Sequence, residues 1–162
     1  MLNKIISGGQ SGADRAALDA AIKFSIPHGG WCPAGRQAEL GEIIPEQYLL
    51  RETKSDDVKE RTVLNIIDSD GTLIFIPNQF IKLTDGTNFT ITSVKLRNKP
   101  YLVIDLSDKL NDITLKINSW LTTNQIRVLN IAGPRESQYI GIYKMCFNTI
   151  CHFLEYFMHN KF

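Results

Sequence analysis

Ser7-Gly8-Gly9-Gln10-Ser11-Gly12-Ala13-Asp14 puts three glycines and two hydroxyls directly after the apolar run that ends at Ile6. Backbone without Cβ atoms lets a phosphate reach amide N–H groups, and a helix opening just beyond adds favourable partial charge. The chemistry this pattern suits is anion binding. It lacks the Gly-Lys-Ser/Thr of a Walker A loop and is no strict GxGxxG, so a plain strand-to-helix turn fits equally well. Two later stretches share its character: Thr84-Asp85-Gly86-Thr87 and Gly133-Pro134-Arg135-Glu136-Ser137. Arg135, beside a glycine at a helix opening, suits a bidentate phosphate contact. The candidate ligand-binding residues are thus Gly8, Gly9, Gln10, Ser11, Gly12, Asp14, Gly86, Thr87, Gly133, Pro134 and Arg135. Asp14 either complements its helix dipole or holds a ligand hydroxyl or a metal-bound water.

The elements around these loops alternate between strand and helix. Lys4 to Ile6 predicts a strand, and Ala13 to Lys23 a helix with an alanine-rich apolar side. Further helices are expected over about Asp56–Ile67 with Ser55 as cap, Thr87–Arg97 capped near Asp85 or Thr87, Asn111–Leu121, and Ser137–His159. Thr72–Ile76, Tyr101–Asp105 and Arg127–Ile131 predict buried strands. Such alternation implies an α/β fold, a mostly parallel sheet flanked by helices on both faces, with ligands at the carboxyl ends of the strands. All three candidate loops fall on that edge.

Composition sets the class. The 162 residues suit a single domain spanning 1–162, with 43% apolar and 22% charged residues as in ordinary globular proteins. A net charge of +1 gives no basic excess for nucleic acid. No apolar run approaches the ~20 residues of a membrane span. The start of the chain has no apolar leader, so a cytoplasmic location is expected. Cys32, Cys146 and Cys151 have neither framework nor metal-ligand spacing, and no metal site is expected.

Pro27 to Pro45, rich in glycine and proline, is too long for a simple connection and carries Trp31 as an anchor. Within it Arg36 and Glu39 form a local ion pair, or Arg36 closes a lid over the ligand. Arg61, Asn65 and Asp68 share one helical face, opposite Val63, Ile66 and Ile67, and predict a solvated surface. The last helix is apolar nearly all round. That predicts burial on more than one side, hence a homo-oligomer interface through Phe147, Ile150, Leu154 and Phe157.

The segments SGGQSGADRAALDAAI, GGWCPAGRQAELG, IPEQYLLRETKS, ERTVLNIIDSDGTLIF and LNIAGPRESQYIGIY cover most of the chain. Through them the chain resembles the molybdenum carrier proteins, a circularly permuted, YpsA-related branch of the SLOG superfamily. The resemblance implies a Rossmann-like three-layer sandwich and a ligand such as molybdenum cofactor or a nucleotide. It also implies kinship with the "lonely guy" phosphoribohydrolases, once labelled lysine decarboxylases. Two departures stand out. Asp85-Gly86-Thr87 replaces the family's Gly-Gly-Thr, placing a carboxylate where a second phosphate would be repelled unless it caps the helix. Thr90 stands where the hydrolases carry a glutamate, leaving Glu39, Glu52 or Asp70 to replace it. The expected function is therefore a carrier that binds a phosphorylated ligand. The alternative is a hydrolase that cleaves an N-glycosidic bond, which needs a positioned carboxylate.

Overall fold

The computed structural model describes residues 2–159. The sheet has five parallel strands in the order β2 (His28–Gly29), β1 (Lys4–Ile6), β7 (Val128–Ala132), β5 (Gly71–Ile76) and β6 (Tyr101–Asp105). Its helices are α1 (Ala13–Lys23), α2 (Val58–Ile67), α3 (Asp85–Leu96), α4 (Leu110–Thr123) and α5 (Ile142–His159). β3 (Trp31–Cys32) and β4 (Arg51–Glu52) form a separate parallel pair. The connection from β1 runs outward to β2, that from β5 runs the other way to β6, and β7 fills the centre. A crevice at the carboxyl ends of β1, β7 and β5 follows from that reversal of direction.

Strand periodicity divides the core. Ile5, Leu73, Phe75, Ile104, Leu129 and Ile131 pack against α1, α4 and α5 in one cluster. Their neighbours Ile6, Ile74 and Asn130 point to the opposite face, where α2 and α3 lie together. Asn130 donates to Thr72 there at 3.2 Å, satisfying a buried amide inside the sheet layer. The layout is the expected α/β sandwich with helices on both faces.

Several expectations change. α2 starts at Val58 with Asp57, not Ser55, as its cap. α5 starts at Ile142, not near Ser137. The segment before it stays open because the Glu136 carboxylate accepts the N–H groups of Gly141 and Tyr143, capping the helix from upstream. Two of the four residues expected at a subunit interface are covered within the chain. α1 and α4 both pack on α5, so Ile150 and Leu154 are fully buried within one chain. Phe147 is half-buried and stacks on Tyr143, with ring centroids 5.9 Å apart. The apolar circumference of α5 is explained by two helical neighbours, while Phe147 and Phe157 stay half-exposed.

Candidate ligand-binding cleft

The first and last candidate loops meet. The Pro134 carbonyl accepts the Ala13 N–H at 3.1 Å, and the Ser11 hydroxyl accepts the Glu136 N–H at 3.1 Å. Gly12 has φ 76, and a Cβ there would lie 2.4 Å from the Pro134 oxygen. Only glycine permits this junction. Ser11 and Ser137 both donate to the Glu39 carboxylate, which ties the long loop to the two turns. Burial pushes Glu39 up, but these hydrogen bonds outweigh it and hold the carboxyl below its usual value.

The glycines of the first loop face protein, not an open anion seat. A Cβ on Gly8 would collide with the Arg61 guanidinium, and one on Gly9 with Leu50. Asp14 is buried; its carboxylate accepts the Gln10 N–H at 3.3 Å and the Arg61 Nη1 at 3.1 Å. Burial pushes the Asp14 carboxyl above its ordinary value, against the pull of Arg61. The carboxylate thus takes the loop amide a phosphate would otherwise take, and carries a guanidinium over the glycine.

Arg61 belongs to α2, on the face expected to be solvated, and this is a correction. Asn65, buried, accepts the Trp31 N–H at 2.8 Å and donates to the Trp31 carbonyl at 3.0 Å. Asp68 accepts from the Trp31 indole and from Arg51. The polar face of α2 holds β3 and β4 in place. The signal for this was faint: three polar residues at helical spacing look solvated until a distant loop is known to cover them.

Arg61 opens into a cleft of about 290 Å³. Gln10, Asp14, Gly133 and Arg135 line one side and Thr84, Asp85, Gly86, Thr87 and Thr90 the other, with Lys59 and Arg61 from α2 between them. Thr84 caps α3 by accepting the Thr87 N–H at 3.2 Å, so Asp85 sits in the first turn without being the cap. Nothing lies within 4 Å of where a Gly86 Cβ would be, leaving that turn open to a ligand. The Arg61 Nε is buried without a partner. The Arg135 guanidinium has no hydrogen-bond or ion-pair partner among the described residues. Three cations and a helix N-terminus against two carboxylates, one already paired, make the cleft attractive to an anion.

Six of the expected residues therefore share one cleft: Gln10, Asp14, Gly86, Thr87, Gly133 and Arg135. Ser11 and Gly12 line a neighbouring cavity, and Pro134 lines a smaller one that shares Thr84 and Thr87 with the cleft. Arg36 is neither a lid nor a partner of Glu39. Its guanidinium donates to the carbonyls of Ile44, Pro45, Tyr48 and Leu50, cross-bracing the long loop. Replacing Arg36 with alanine should lower stability by about 2 kcal/mol and expose residues 37–49 to limited proteolysis. Its affinity for a cleft ligand should stay unchanged in calorimetry.

The carboxylates considered for hydrolysis lie outside the cleft. Glu39 holds the two serines, Glu52 accepts the Gly35 N–H at 2.7 Å, and Asp70 accepts the N–H groups of Arg127 and Val128 at the amino end of β7. Thr90 Oγ1 donates to the Gly86 carbonyl at 2.9 Å. Among the described residues no group of three or more His, Cys, Asp or Glu could hold a metal ion, and no helix is long and apolar enough to cross a membrane.

No curated protein matches the chain. A crystal structure described as that of a "Putative molybdenum carrier protein" from Syntrophus aciditrophicus SB does. It is 47% identical, covers 94% of this chain and 95% of its own, and superposes with a TM-score of 0.89. The profile of the circularly permutated YpsA SLOG family matches residues 5–154. With that match and the shared Rossmann-like architecture, the chain belongs to the circularly permutated YpsA family of SLOG proteins.

Proposed function

We propose that this protein is a carrier that binds a phosphorylated small molecule, a nucleotide or a pterin phosphate such as molybdenum cofactor, without altering it. The observation behind this reading is the cluster of Lys59, Arg61 and Arg135 around the open N-terminus of α3. Arg61, held by Asp14, and Arg135, whose guanidinium has no partner among the described residues, grip a phosphate from two sides. The volume of about 290 Å³ suits a ligand of mononucleotide size, near the lower end of small-molecule sites. A molybdenum cofactor fits at its phosphate end. Its metal end finds no thiolate, because Cys32, Cys146 and Cys151 are buried and outside the cleft lining.

Thr90 favours a carrier over a hydrolase, since a hydroxyl already donated to the backbone cannot act as a carboxylate acid or base. Titration calorimetry with AMP, ADP-ribose and NAD tests binding, and chromatography of the same mixtures tests for released base. Saturable binding without base release is expected. Arg135→Gln should weaken AMP binding by about tenfold or more, from loss of one charged hydrogen-bonding group. Base release at catalytic rates would replace the carrier reading with the hydrolase.

A further inference from the structure

A second cavity of about 410 Å³ lies across the Gly12–Pro134 contact and shares no lining residue with the cleft. Leu40, from the long loop, and Ile140, from the segment before α5, stand on its walls, and each is 88% exposed. Tyr143 adds an aromatic wall, while its hydroxyl is held by Asp19 at 2.7 Å. Apolar walls with a few polar groups, at this volume, describe a small-molecule site.

Its charge is opposite to that of the cleft. Arg15 shares the lining with three glutamates, Glu39, Glu42 and Glu136, and pairs with Glu42. Glu39 is held by two serines and Glu136 by two backbone N–H groups, so neither side chain is free to turn to a ligand. Glu42 differs: it lies 3.6 Å from Arg15 with its side chain 59% exposed, so much of it is left for a ligand. A phosphate entering here would meet excess negative charge. An ammonium group would be drawn in, and an aliphatic or aromatic body behind it would cover Leu40 and Ile140.

We propose that this cavity is a separate site for an organic cation, a primary amine on an apolar body, with the ammonium at Glu42 and the body between Leu40 and Ile140. It does not depend on the cleft holding phosphate. Hexylamine, hexanol and hexanoate, titrated into the isotopically labelled protein at neutral pH, separate charge from apolar contact. Hexylammonium should give saturable amide shifts at residues 40, 42, 140 and 143, and hexanoate none. Glu42→Gln should weaken hexylammonium about fourfold without affecting hexanol. Ile140→Ser should weaken both ligands about tenfold. Both side chains are exposed, so the variants keep their fold, which their spectra report directly. Binding of hexanoate as tight as that of hexylammonium, shifts confined to other residues, or no saturation would each overturn the proposal.

Discussion

Arg61→Met is expected to lower the unfolding free energy by about 3–5 kcal/mol at neutral pH, and to abolish binding of a phosphorylated ligand. The two effects have one source. The Arg61 and Asp14 side chains are only 13% and 5% exposed, and they are 3.1 Å apart. Removing the guanidinium leaves a buried carboxylate with only the Gln10 N–H and the Ser7 hydroxyl to replace water and a lost counter-charge. The loss depends on pH in a defined direction. Burial already raises the Asp14 carboxyl above its ordinary value, and without Arg61 it rises further. A folded state that binds its proton more tightly than the unfolded chain is favoured in acid and loses that advantage as pH rises. The deficit of the variant should therefore be smallest at acid pH and grow towards neutrality, as denaturant melts across pH will show. Asp14→Asn/Arg61→Met, which removes both charges, should recover much of the stability and none of the binding. Recovery of binding as well would mean that Arg61 only supports the fold.

Gly12→Ala is the second large effect, at about 3 kcal/mol or more. The new methyl would sit 2.4 Å from the Pro134 oxygen and 2.8 Å from the Glu136 nitrogen, both backbone atoms that cannot rotate away. The positive φ of 76 adds strain of its own. Relief requires the β1–α1 and β7–α5 turns to separate, breaking the Ala13 bond to Pro134 and the Glu136 bond to Ser11. Both cavities flank that seam, so both should lose their ligands together. Thermal melts and amide spectra of the variant check this; a melting point equal to the parent's would show that the turns are not locked. Gly86→Ala makes the natural contrast. Open space surrounds that position, and the fold should tolerate the change.

Strong periodicity made most of the scaffold legible. The α1 bounds were readable in full, and β6 likewise, because alanine-rich helical spacing and a short run of β-branched and aromatic residues leave few alternatives. The strands β2, β3 and β4, each two residues long, were not. They exist because Trp31 pairs with Arg51 and Ile5 with His28 across the fold, and no local pattern encodes such pairings. That the loops of Gln10, Gly86 and Gly133 share one edge followed from the strand–helix alternation of a parallel sheet. Arg61 did not, because its partner Asp14 lies 47 residues away and the loop over its helix has no periodic signal. The cover that α4 gives α5 was not legible for a related reason: an apolar circumference does not say which element lies against it.

The cleft between α2, α3 and the β7–α5 turn is proposed to receive the phosphate of a small ligand. An AMP titration followed by amide and arginine Nε–H resonances tests it most directly. Saturable shifts at the Arg61 Nε–H and at the amides of Gly86, Thr87 and Gly133 are predicted. Saturation with shifts gathered at the opposite sheet edge, around Asp70 and Arg127, or no shifts at millimolar AMP, would contradict it.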